Sequence, residues 1–84
     1  VDVLNEMGIN YAALGNYEEA AQYFHKIFED VRTIEILTNL IMCYINLGDF
    51  EKAKDHVAIG ELMDSEDEIL VEIKGYLKKI GHEV

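Results

Sequence analysis

The sequence predicts an all-α protein, a stack of antiparallel helix pairs with five helices in all. Three observations carry this. Sliding the 84-residue chain by 33 positions superimposes Val3, Ile36 and Ile69, then Leu4, Leu37 and Leu70, and then Met7, Leu40 and Ile73. The same shift aligns Tyr11 with Tyr44 and Leu77, and Leu14 with Leu47 and Ile80. Within each copy these residues are spaced by 1, 3, 4 and 3 positions, the spacing of one helical face. A glycine closes every copy, at Gly15, Gly48 and Gly81, where the left-handed backbone that most readily ends a helix excludes a side chain.

The elements follow in order. The first helix is expected over about residues 2–14, ending at Gly15. The second, about 17–30, begins after Asn16, whose amide oxygen is expected to cap the first amides, with Glu19 three residues on as in a capping box. Its apolar positions Tyr17, Ala20, Ala21, Phe24, Ile27 and Phe28 again fall at helical intervals. Thr33 is the expected cap of a third helix over about 34–47, and Asp49 that of a fourth over about 50–63. Ser65 with Glu68 forms a capping-box pattern for a fifth over about 66–80. Paired helices are expected to cross at the small residues Gly8, Ala20, Ala53 and Gly60, because a larger side chain there would force the axes apart.

The unit "LGNYEEA" or "LGDFEKA", with a bulky residue before it and an aromatic or apolar residue after, resembles the tetratricopeptide repeat (TPR). The matching residues are Leu4, Met7, Gly8, Tyr11, Gly15, Tyr17, Ala20 and Phe24 in the first copy. In the second they are Leu37, Leu40, Tyr44, Gly48, Phe50, Ala53, Val57 and Gly60. The family's turn proline is absent, and the unit is 33 residues long where about 34 is usual. Ile41 and Lys74 stand where the first copy has the small Gly8. The resemblance implies a right-handed superhelical stack, a TPR-like α-solenoid, with repeats at 1–33 and 34–65 and a terminal or truncated helix in 66–84. The apolar Tyr76, Leu77 and Ile80 at the end of the third copy favour an excerpt from a longer array over a true cap.

Formal charge is −10, from 17 acids against 7 bases. That balance argues against nucleic acid, whose phosphates require a basic patch, and against anionic membranes. It points to a neutral or basic protein partner. The single Cys43 cannot form an internal disulfide and fits a reducing, cytoplasmic location.

Residues with catalytic chemistry are sparse. Cys43 lies between core positions Leu40 and Tyr44, where a thiol acts as a small hydrophobe. His25, His56 and His82 form no pair at metal-ligand spacing. Glu18, Glu19 and the run 66–68 sit in first helical turns, where the helix dipole favours negative charge. The sequence therefore predicts no enzyme, no cofactor and no metal site.

The face opposite the core stripe carries the candidate site. On the first helix of each pair it includes Asp2, Glu6 and Ile9, then Glu35, Asn39, Met42 and Ile45, then Glu68, Val71 and Glu72. In proteins similar to this one, such helices line a concave groove that holds a peptide or helix of a partner. An apolar strip of Ile9, Met42, Ile45 and Val71, rimmed by five carboxylates, suits a basic or amphipathic segment. One subtype of the family grips the acidic tail of a heat-shock chaperone with basic residues. Here only Asn39 matches that pattern; Asn5 and Ile9 replace its Lys and Asn, and Glu68 and Glu72 replace its basic pair, so no chaperone-tail binding is expected. The alternative is a structural spacer or self-association module, with Tyr76, Leu77 and Ile80 exposed at the C-terminal end.

Overall fold

The computed structural model describes residues 2–82, of which the side chain of Asp2 is left out. It contains five helices and no strand among the described residues: α1 (Asp2–Ala13), α2 (Tyr17–Asp30), α3 (Ile34–Asn46), α4 (Phe50–Asp64) and α5 (Glu68–Lys79). The all-α, helical-repeat expectation therefore holds. Each helix packs on its neighbour in the chain, and α5 also touches α3.

The three glycines terminate their helices in the same way. Gly15, Gly48 and Gly81 have φ of 82°, 76° and 93°. In each case the glycine N–H donates to the carbonyl three residues back, and the next N–H donates to the carbonyl five back. The second bonds are Asn16 to Tyr11 at 2.8 Å, Asp49 to Tyr44 at 2.9 Å and His82 to Leu77 at 2.7 Å. This double closure uses carbonyls that a helix end would otherwise leave without partners. It also turns the chain within three residues, so that the second helix of each pair folds back on the first.

The caps divide. Thr33 accepts from the Ile36 amide at 3.3 Å and Asp49 from the Lys52 amide at 3.3 Å, as their sequence positions suggest. Asn16 does not make the expected side-chain cap. Ser65 is not the cap of α5 either. Helix α4 runs on to Asp64, leaving Ser65 helical (φ −66°, ψ −16°), whereas Asp67 (φ −56°, ψ 129°) accepts from the Leu70 amide at 3.0 Å. A cap needs non-helical backbone so that its side chain can reach forward to those amides.

One continuous core joins the helices, with Ala20, Leu37, Leu40, Ile41, Ala53, Leu70 and Leu77 wholly buried. Close crossings occur where the small residues stand. A Cβ on Gly8 would lie 2.9 Å from two ring carbons of Phe24, and one on Gly60 would lie 3.0 Å from Leu70 Cδ1. Helix α5 packs onto the stack through Leu70, Ile73 and Leu77, and its Lys74 forms an ion pair with Glu61 of α4. The expectation that Leu77 is exposed at the C-terminal end is thereby corrected: it is wholly buried.

The turn leucines also depart from the inward stripe. Leu14 is 77% exposed and Leu47 45%. Leu47 shares a cleft with Ala21 and Gln22 of α2, whereas α1 has neighbours on one side only among the described residues. Val3 likewise is 70% exposed while its repeat equivalent Ile36 is 6% exposed. No helix among the described residues is long and apolar enough to cross a membrane.

Candidate functional site

Two adjoining clefts run beside α3. The first, of about 370 Å³, opens between α1 and α3 and is lined by Ile9, Ala12, Ala13, Asn39, Met42 and Asn46, with Phe24, Tyr17 and Cys43 behind them. The second, of about 470 Å³, lies between α3 and α5 among Met42, Ile45, Asn46, Ile69, Glu72, Ile73 and Tyr76. The 33-residue period relates the two. Ile9, Ala12 and Ala13 become Met42, Ile45 and Asn46 one unit later, and Asn39 and Cys43 become Glu72 and Tyr76. Met42 and Asn46 belong to both clefts and form the ridge between them.

Asn46 is fixed in place. Its Nδ2 donates to the Met42 carbonyl at 2.8 Å. A carbonyl can only accept, so the side-chain amide must present its nitrogen there and keep its Oδ1 for another partner. Behind the first cleft, burial pushes the Cys43 thiol up to about 11. At neutral pH it is a protonated, apolar wall and not a nucleophile.

The structure brings together Ile9, Asn39, Met42, Ile45 and Glu72 of the sequence-predicted set. Glu6, Glu35 and Glu68 are exposed but line neither cleft, and Val71 is half exposed on α5 outside both. Val71 is the repeat equivalent of the buried Thr38, one helical step off the stripe that faces α3. The side chain of Asp2 lies outside the described residues. Sequence reasoning missed Ile69, Ile73 and Tyr76, which form the α5 wall. Ile69 repeats Ile36 but is 47% exposed, whereas Ile73 repeats Leu40, is buried in the core as its position suggests, and backs the cleft from there. Tyr76 was assigned to the C-terminal end, yet it stands one unit after Cys43, which lines the first cleft.

A third cleft, of about 680 Å³, includes Glu18, Gln22, His25, Tyr44, Asp49, Lys52 and His56. It is larger, and several of its polar groups already have partners. Lys52 pairs with Asp49 at 3.8 Å and lies 5.7 Å from the centre of the Tyr44 ring. His56 Nδ1 is 2.8 Å from the Lys52 carbonyl, and its ring packs 5.1 Å from that of Tyr44. His25 sits 3.5 Å from Glu29. Burial, followed by the nearby Asp49 and Cys43, raises the Tyr44 phenol.

Tandem helix pairs with apolar clefts between successive first helices define an α-helical repeat protein. Residues 1–29, about a third of the chain, match the family model of the tetratricopeptide repeat. The chain carries a tetratricopeptide repeat, and its five helices fit two such units plus the first helix of a third. No curated protein and no solved structure matches it. Tetratricopeptide repeats generally mediate protein–protein interaction and are typically non-catalytic.

Proposed function

We propose that the chain is a non-catalytic adaptor module of a reducing, cytoplasmic compartment, whose paired clefts hold a basic or amphipathic segment of another protein. The observation that carries this is the ridge residue Met42, large, apolar and 45% exposed, standing between two clefts that are otherwise mostly apolar. Apolar surface gathered in concave clefts, with the carboxylate of Glu72 in the wall of one of them, is suited to an amphipathic partner with positive charge. Selection of short peptides from a random displayed library on this chain tests the reading. Binders are expected to lose at least about tenfold in affinity to Met42→Glu, since a carboxylate would be desolvated at the ridge. Met42 is solvent-accessible, so the variant is expected to melt within a few degrees of the wild type. Binding that survives the substitution refutes the assignment of the clefts.

Val3 and Leu14 support a second reading, self-association or docking in a larger helical array through the uncovered flank of α1. Both are largely exposed on the flank where Ile36 of the next unit is covered. Sedimentation equilibrium is expected to show concentration-dependent association that Leu14→Lys weakens. A monomer at all concentrations excludes self-association.

A further inference from the structure

We infer that the cleft between α3 and α5 is a pocket for an arginine side chain of the bound segment, an assignment that rests on the groove reading above. Its walls and its polar atoms ask for different things. Met42, Ile45, Ile69 and Ile73 offer apolar surface suited to an alkyl stem. The polar groups among the lining residues include two acceptors and no cation. Glu72 is exposed and has no basic side chain within ion-pair distance among the described residues. One N–H of the Asn46 amide is held by the Met42 carbonyl, which fixes the orientation of the amide and leaves its Oδ1 as the second acceptor. Tyr76 adds an aromatic ring that is half exposed and has neither an aromatic nor a cationic partner among the described residues.

These groups select among ligands. A purely apolar side chain would desolvate Glu72 without replacing its water. A carboxylate or phosphate would meet the like charge of Glu72. A lysine satisfies the charge but offers a point of donors, whereas a planar guanidinium spreads five N–H groups over two acceptors and stacks on a ring. Lys74 on the same helix is paired with Glu61 of α4, and Lys78 lies roughly 9 Å along the axis from Glu72 at 1.5 Å per residue, so neither forms an ion pair with Glu72. The first cleft contrasts with this one: its lining residues include no charged side chain. A partner segment would therefore place an uncharged residue against α1 and an arginine against α5.

The probe is the set of library peptides described above, resynthesised with each arginine replaced by citrulline, which keeps the shape and removes the charge. The selected peptides are expected to be enriched in arginine. At one arginine, the citrulline change should weaken binding to the wild-type chain at least tenfold, but less than threefold to Glu72→Gln. Replacing that arginine by lysine should weaken binding about fivefold in the wild type, and this preference should vanish in Tyr76→Leu. Peptides without arginine, or a citrulline penalty unchanged by Glu72→Gln, overturn the pocket while sensitivity to Met42→Glu keeps the groove. Binders indifferent to Met42→Glu, or a library without binders, overturn both.

Discussion

Replacing Gly8 and Gly75 by alanine, one at a time, separates a packing constraint from a backbone one. Both glycines sit inside helices, so each substitution brings the same gain in helix propensity, about 1 kcal/mol. Nothing lies within 4 Å of a Cβ placed on Gly75. At Gly8 the new carbon would stand 2.9 Å from both Cε1 and Cζ of Phe24 and 3.2 Å from Cδ1, well inside the usual carbon contact of about 3.5–4.0 Å. The Phe24 ring is buried and cannot step aside without displacing the core, so overpacking of about 1–3 kcal/mol opposes the helix gain. Gly75→Ala is therefore expected to stabilise by about 1 kcal/mol, and Gly8→Ala to range from neutral to about 2 kcal/mol destabilising. Subtracting one from the other removes the shared helix term and leaves the collision alone. Urea unfolding followed by far-UV circular dichroism measures both, and the melting points should differ by at least about 4 °C. A Gly8→Ala chain as stable as Gly75→Ala would show that α1 and α2 do not approach as closely as described.

Two further outcomes follow from the caps and the core. Asp49→Ala is expected to lose about 1 kcal/mol, whereas Asn16→Ala should lose only a few tenths, because only Asp49 makes a side-chain cap bond; equal losses in thermal melts would contradict the distinction. Cys43 should react with iodoacetamide at pH 8 about a hundredfold more slowly in the folded than in the unfolded chain, from its thiolate fraction alone. Its pKa is raised on folding from 9.0 to about 11, so its contribution to stability is intact below pH 9 and is lost as pH rises towards 11. Tyr44 shifts in the same direction. Stability that increases from pH 9 to 11 would contradict the burial of both groups.

The helices were legible in the sequence because their ends are written in backbone chemistry. Gly15, Gly48 and Gly81 occupy a conformation that side chains avoid, and each supplies the same pair of terminal hydrogen bonds. The N-termini were less legible, since several residues near Asp67 could cap α5 and only the length of α4 decides among them. The clefts were half legible. A repeat period carries a residue's direction on its helix from one unit to the next, but not the neighbours that cover it. Ile36 is buried and Ile69 is 47% exposed although both hold the same position, and Leu14 and Leu47 differ for the same reason. The wall supplied by Ile69, Ile73 and Tyr76 became visible only once α5 was set beside α3.

The most direct test of the central claim is the footprint of a selected peptide on the amide resonances of the isotope-labelled chain. The account predicts saturable shifts at Ile9, Asn39, Met42, Asn46, Ile69, Glu72 and Tyr76, along α1, α3 and α5, with Lys26, Asp55 and Leu62 on α2 and α4 unmoved. A footprint centred on α2 and α4, with Met42 and Asn46 unshifted, would contradict it.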